Sequence, residues 1–549
     1  MAETKRQRYE SRAKALKNER SSWEPLWQDI SDNIEPMRTR FHRTEVNRGD
    51  KNLRGNIVDN TGTMAARNLA SGMMAGITSP ARPWFELEVG DESLMEVHAV
   101  KVWLDDVAKE MRTAMAQSNI YGTLHQTYYE LGTFGTACMV LEEDDEKIFR
   151  GIPLTIGQYS LATDQRGIVD TMYREFSMTV RQLVQRFGLE KCSQNVKSLY
   201  HNGSLEQWIP VVHLVEPNDE RKTGKVDNRN MPFRSVYFEA DAKSPELLRE
   251  SGYGENPIMA PRWDVLGEDT YGTGPGAVAL GDTKALQLEQ KRKAQAIELY
   301  VRPPQVASST LRTNGASIVP GSINYVDPSE FAQAGMRPVY QVEPRINELQ
   351  VSLQENQRRI SRAFFEDLFL MIAQADGRMT ATEVVERREE KMLMLGPVLQ
   401  RVHYELLDPL INRVFGIMMR NGYFPEPPEE LQGHELRVSY LSILAQAQRA
   451  IAVGSIERFL GLAGNLAGVN EEVLDNIDFD QAINEYADQT GVPPTLVRPK
   501  DVVEDIRRRR QEAIEQQQAA EQMQQGVQAA KLLSETDMRE GNALSAMGM

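Results

Sequence analysis

The sequence predicts a mainly helical α+β chain built from several domains. Three observations lead there. The chain has 549 residues, more than one hydrophobic core supports. Long stretches toward both ends place apolar residues three or four apart, the period of a helix buried on one face. Between them, residues 137–264 gather β-formers among Gly, Pro, Asn and Asp turns, as in CMVLEE, GIVDTMYREFSM, WIPVVHLVEP and RSVYFEA.

Composition narrows the class. Hydrophobic residues make up 41% and charged residues 26%, ordinary for a soluble globular protein. The longest apolar runs, such as Met73 to Ile77, fall far short of a membrane span. The basic, polar N-terminus lacks the apolar region of a secretory signal. Cys138 and Cys192 are the only cysteines, so there is no disulfide framework, which suits a reducing cytoplasm. The seven histidines are scattered without ligand spacing, so no metal site is expected. Net charge is −16. A protein that grips DNA is usually basic on the gripping face; an acidic one avoids nucleic acid or handles it without holding it.

The elements follow in order. Residues 5–35 read as one or two amphipathic helices with Trp23, Leu26, Trp27, Ile30 and Ile34 on one side, stopped by Pro36. Residues 57–77 carry small residues at helical spacing, which permits close packing against a neighbour. Helices are expected over 93–118 and 120–136, then the β region, interrupted by a short helix near Thr179 to Phe187. From 277 to about 300 the chain becomes a rod of roughly 36 Å, thinly apolar, ended by Arg302-Pro303-Pro304. Residues 305–345, rich in Pro, Gly, Ser and Val, read as a small β insertion. A second rod places Ile346, Leu349, Leu353, Ile360, Phe364, Leu368 and Ile372 on one stripe. Two such rods flanking an insertion suggest a helical hairpin with a small domain at its tip.

A loop, Ala373 to Met379, precedes a long helix announced by the Thr380/Glu383 capping box. Its apolar stripe runs from Val384 to Ile417, interrupted by Arg388, with Gly396-Pro397 in the middle and Asp408-Pro409 after it. Proline inside a helix costs roughly 3 kcal/mol, so a bend is expected at Gly396 and Pro397. Further helices run from about 440 to 490. The tail from Asp501 holds RRRR and then eight glutamines in 21 residues; composition leaves a solvated helix and a disordered segment both open.

Chemical motifs are sparse. Gly272, Gly274 and Ala277 match G-x-G-x-x-G/A before a helix, but no clear strand leads in, so a loop turning the chain into the rod is the better reading. No phosphate-binding lysine loop, nucleophile elbow or zinc helix motif is found. The run Glu142 to Glu146 reads as solvated charge, and His403 as a packing or capping residue. No catalytic centre and no cofactor are expected.

Four stretches together resemble the portal, or head-to-tail connector, proteins of short-tailed, podovirus-type bacteriophages. They are ERSSWEPLWQDISDNIEPMRTRF, DNTGTMAARNLASGMMAGITSPARPWFEL, YGTGPGAVALGDTKALQLEQKRKAQAIELYVRPP and MTATEVVERREEKMLMLGPVLQRVHYELLDPLINRV. They occur in family order over roughly residues 1–430. Gly281 stands where the motif leads one to expect proline, and the end of the chain departs from the family.

The resemblance implies a portal-type fold: a wing over 1–270, a first stem helix over 271–300 and a clip over 301–345. A second stem helix over 346–372, a tunnel loop over 373–379 and a kinked wing helix over 380–435 come next. Crown helices over 436–500 and a polar tail over 501–549 complete it. It implies a ring of about twelve copies at one capsid vertex of the virion, assembled in the host cytoplasm and passing double-stranded DNA during packaging and ejection. Implied partners are the terminase, head-tail adaptor and tail proteins, and major capsid and scaffolding proteins, with no membrane. Gln374, Asp376, Gly377 and Arg378 would line the channel, with Arg378 either meeting phosphates or pairing with Glu383 or Glu386. Arg302, Arg312, Arg337 and Arg345 would dock partners. Leu353, Ile360, Phe364 and Leu368 are expected to pack against a neighbouring subunit. The alternatives are a helical scaffold without a channel, or a nucleotide-dependent enzyme built on 272–277.

Overall fold

A computed structural model describes residues 4–38, 41, 57–95, 97–222, 224–225, 227–242, 246–302, 305–306, 337–338, 346–367, 396–431, 436–440, 443–467 and 471–535. Helix and strand are mixed, and the chain divides into two compact units. The first comprises Met1–Glu86, Val107–Pro425 and Val438–Ala447; the second comprises Leu87–Asp106, Glu426–Arg437 and Gln448–Met549.

The centre of the first unit is antiparallel sheet. Five strands run in the order Tyr159–Thr163, Val169–Thr179, Trp208–Pro217, Phe233–Glu239, Arg249–Tyr253. A smaller sheet places Cys138–Asp144 between Ile148–Leu154 and Ile258–Met259. The expected short helix is Val180–Phe187, held by a Thr179/Gln182 capping box. A second helix, Gln194–His201, interrupts the strands unannounced. With its neighbour it covers one sheet face, Leu183, Phe187 and Val196 packing in one cluster with Ile209, Val211 and Tyr237 of the strands.

Helix Lys5–Arg20 straps the other face. It is basic and nearly without an apolar stripe; Tyr9 and Leu16 enter the core formed by Tyr173, Val212, Leu214, Val236 and Phe238, and Ala13 packs against it. Its cations meet carboxylates of the sheet and of the turn after Pro217 along its length: Lys5–Glu250 at 3.1 Å, Arg8–Glu220 at 2.8 Å, Arg12–Glu216 at 3.6 Å and Lys17–Glu175 at 2.9 Å. Exposed pairs of this kind contribute little individually. Burial of Tyr9, and of Arg6 and Arg20 on the carbonyls of Glu239 and Tyr159, fixes the strap.

Small residues do what their spacing promised. Helix Thr61–Ile77 buries Ala65, Ala66 and Ala70. A side chain at Gly132 of helix Ile120–Phe134 would come within 2.5 Å of Leu69, so the two helices meet at close range. Trp27, Ile30 and Ile34 are buried as expected. The charge run is half structural: Glu142 binds Arg186 at 3.0 Å, and Glu143 binds Arg420 at 3.0 Å. Cations from distant segments consume these two carboxylates, and Asp144 caps the turn by accepting from the N–H groups of Glu146 and Lys147 at 2.9 Å each.

In the second unit, helix Phe479–Thr490 is capped by Asp478 and ends at left-handed Gly491. The polar tail is helical from Lys500 to Glu535, and Arg507 ties its start to Asp480 through two bonds of 2.6 and 2.7 Å. Among the described residues, no helix is long and apolar enough to cross a membrane.

One register row crosses the whole large sheet: Tyr159, Arg174, His213, Tyr237, Arg249. His213 is buried, stacked 3.9 Å from Tyr237, with Nε2 at 3.1 Å from Ser235 Oγ. Burial, with Arg174, Arg186 and Arg249 nearby, holds its pKa well below the usual imidazole range. The unfolded chain therefore takes up a proton below about pH 6.5 that the folded chain refuses. Stability contributed by neutral His213 is complete above that pH and falls as pH drops. The variant His213→Gln should flatten this dependence between about pH 5 and 6.5, by up to about 1.4 kcal/mol per pH unit. Urea-unfolding midpoints across that window measure it.

Candidate functional site: a polar helical pair and its root

The two rods form an antiparallel pair, Leu280–Val301 and Ile346–Ala363. Little apolar surface joins them, because the first rod buries only Thr283, Leu286 and Gln287. The cross-links are polar. Glu289 accepts from Ser352 at 3.3 Å and Asn356 at 3.2 Å, Lys293 donates to Gln350, and Arg359 faces Asp282 at 3.8 Å.

At the root, one carboxylate gathers both rods. Asp59 Oδ2 accepts from Gln290 at 3.0 Å and from Gln357 at 2.9 Å; Oδ1 accepts from the Thr61 N–H at 2.9 Å. Gln287 completes the knot, donating to the Asp59 carbonyl at 2.7 Å and accepting from the N–H groups of Val58 and Asp59. Partial burial works to raise the Asp59 carboxyl, but the bonds from Thr61, Gln290 and Gln357 outweigh it and hold it below its usual range.

The glycine-rich loop feeding the first rod is filled by protein. A Cβ at Gly272 would sit 2.8 Å from Asp264 O, at Gly274 2.8 Å from Gly135 Cα, and at Gly276 2.0 Å from Thr133 O. These glycines let two backbones touch, which supports the loop reading of 272–277. Among the described residues, no three His, Cys, Asp or Glu side chains gather to hold a metal ion.

Several expectations need correction or relocation. Leu353, Ile360 and Phe364 are at most 1% exposed within the single chain. The second rod packs on helix Thr61–Ile77 and on Pro275–Val278, so its apolar stripe is covered by its own chain. A side chain already dry gains nothing from a neighbouring copy. Among the described residues, the large apolar side chains left open on the rods are instead Leu288, Ile297, Tyr300, Val301 and Val351. The regular helix Ile346–Ala363 is broken at Phe365, which turns left-handed with φ 55°; helix resumes at Glu366 and Asp367, and residues 368–372 lie outside the described ones. Leu368 lies outside the described residues, as do Gln374, Asp376, Gly377 and Arg378. Arg302 is exposed at the end of the first rod, its N–H on Glu298 O at 2.7 Å. Arg337 pairs with Val306 in a two-stranded ribbon; Arg312 and Arg345 lie outside the described residues.

Gly396 and Pro397 begin the described helix Gly396–Val402, and the residues before them lie outside the described ones. A departure from α-geometry that the sequence reading missed follows directly: His403–Leu407 is a π-turn, leading into Asp408–Arg420. The signal was Pro409, which lacks the N–H that a regular α-helix needs there. Glu405 in that turn accepts from the Arg262 N–H at 2.8 Å and from its guanidinium at 2.7 Å. Farther along, Arg413, 1% exposed, meets Glu255 at 2.5 Å. Burial works to raise the Glu255 carboxyl, but Arg420 and Arg413 outweigh it.

A model of the family described as bacteriophage head to tail connecting protein matches residues 6–497. The chain belongs to that family. The portal protein of Salmonella phage epsilon15 is 47% identical over 549 residues, spanning 100% of this chain and 98% of that protein. The "Probable portal protein" of Bordetella phage BPP-1 is 46% identical over 550 residues, spanning 99% of this chain and 98% of its own length. The match runs through both rods, their root and the second unit.

Replacing Asp59 with Ala should strand four donors at the root, the side chains of Gln290 and Gln357 and the N–H and hydroxyl of Thr61, and lower stability by about 2 kcal/mol. Because the folded pKa of Asp59 is depressed, its contribution is present above about pH 4 and is lost as pH falls through the folded value. The gap between wild type and Asp59→Ala should therefore close in acid. Thermal melts at neutral pH and near pH 3 check both statements.

Proposed function

We propose that this chain is a phage portal protein. About twelve copies close into a ring at one capsid vertex, and double-stranded DNA passes through it during packaging and ejection. The observation that carries the reading is full-length similarity to the epsilon15 portal protein, at 47% identity. The rods support it as walls of the channel: they are polar, cross-linked and fixed at one end. The terminase docks first and head-tail adaptor and tail proteins afterwards, while major capsid and scaffolding proteins surround the ring. Assembly takes place in the host cytoplasm and the product stays in the virion.

Charge fits the task. Duplex DNA carries one negative charge per roughly 1.7 Å, and a channel through which it slides both ways must not hold it. A chain of net charge −16 centres DNA by repulsion, and scattered cations keep the barrier low. In this reading Gln374, Asp376, Gly377 and Arg378 narrow the channel, and the bend at Gly396 and Pro397 lets the wing helix leave it radially.

Ring closure buries the apolar positions left open on the rods. Val351 is 64% exposed in the single chain, and Val351→Asp would place a charge in the contact between copies. Native mass spectrometry should show wild-type rings of about twelve chains and loss of rings in the variant, with an unchanged monomer melting temperature. Intact variant rings would exclude this face from the contact.

Partner docking falls to the clip arginines, since guanidinium clusters recognise carboxylates on partners. The double variant Arg302→Glu, Arg337→Glu should keep ring mass while weakening capture of terminase and tail adaptor about tenfold or more. Unchanged capture of both partners would move docking elsewhere.

A further inference from the structure

Two departures from regular helix geometry in the first unit rest on adjacent residues of one loop. Phe365 closes the second rod in the left-handed region, with φ 55°, where a bulky L-residue is strained. Its ring lies 5.9 Å from that of Trp263. The π-turn at His403–Leu407 carries an extra residue in one helical turn. Its Glu405 is bound three times by Arg262: from the N–H at 2.8 Å, from Nη2 at 2.7 Å and from Nε at 3.3 Å.

The loop between these anchors is itself fixed. Arg262 is 3% exposed and donates further to the carbonyls of Gly167 at 2.6 Å and Asp269 at 3.3 Å. Ala137 donates to Pro261 O at 3.1 Å, Trp263 to Gly135 O at 2.8 Å, and Asp264 exchanges two bonds with Thr273. Strained geometry persists only where surroundings over-determine it, and it gathers at switch points.

We propose that Arg262-Trp263 is a mechanical coupler, joining the end of the second rod to the π-turn so that the two change conformation together. Relaxation of the π-turn to α-helix turns Gly396–Val402 by about 100° and shifts it about 1.5 Å relative to Asp408–Arg420. That motion draws Glu405 off Arg262 and leaves a buried guanidinium without its carboxylate. The loop must rearrange, Trp263 moves with its neighbour, and Phe365 loses the contact that holds its left-handed backbone. The chain of events runs equally from rod end to π-turn. Its meaning for DNA passage rests on the portal reading, in which the rod is channel wall; the coupling itself is a property of one chain.

Hydrogen exchange with mass-spectrometric readout on the full chain tests it, comparing wild type, Glu405→Gln and Glu255→Gln. Glu255 binds Arg413 and Arg420 in a separate ion cluster of the same unit, so it reports general loss of stability. Glu405→Gln should speed exchange about tenfold both at 403–407 and at 360–365, while Glu255→Gln leaves 360–365 unchanged. Faster exchange confined to the helix around 405 overturns the coupling, and so does an equal rise at 360–365 in both variants. The reciprocal variant Phe365→Gly removes ring and strain together and should speed exchange at 403–407. No change there overturns the proposal even if Glu405→Gln fails to fold. Ring mass, which tests the portal reading, is independent of every one of these outcomes.

Discussion

Asp59 accepts hydrogen bonds from both rods at once, and the need for that contact follows from their composition. Helices that pair through apolar seams hold along their whole length. These two have almost no seam, since side chains such as Glu289, Lys293, Gln350 and Asn356 meet across the gap. Polar contacts in reach of water are individually weak, so such a pair is steady only where it is gripped. The grip is made where Gln290 and Gln357 converge on the half-buried Asp59 carboxylate and Gln287 binds the backbone of the same residue. The knot at their base is what that polarity costs.

A second consequence of size is that segments far apart in sequence are joined by buried charge. Arg262 to Glu405 and Arg413 to Glu255 bridge the sheets to the helices after them. Breaking one partner of a buried pair costs more than the pair contributes, because the remaining charge is stranded. These pairs therefore make wrong arrangements expensive, and they fix register between elements that apolar packing alone would leave loosely defined.

The class of fold, the two rods, the β block and the N-terminal helices were legible because each rests on local rules: periodicity, capping boxes, prolines, small-residue spacing. Thr179 with Gln182 and Trp27 with Ile30 behave as those rules say. The root was not legible. Asp59 precedes a helix, where an acid needs no special explanation, and its partners on the rods sit more than two hundred residues away. The second rod misled for a related reason: periodicity reveals that Leu353, Ile360 and Phe364 form a stripe, yet says nothing about what covers it. Helix Thr61–Ile77 does, leaving Val351 on the open side. The π-turn was half legible, since Asp408-Pro409 marked the place without specifying the geometry.

The basic strap Lys5–Arg20 lies on strands that end at Tyr253. During synthesis at about 5–20 residues per second, its docking surface is complete only after a delay on the order of ten to fifty seconds. Through that interval a cationic helix lacks its docking surface beside the ribosome, itself a polyanion, with little beyond Tyr9, Ala13 and Leu16 to give it apolar character. A segment made well before its docking surface is thus placed late, and it must leave one set of negative charges for another.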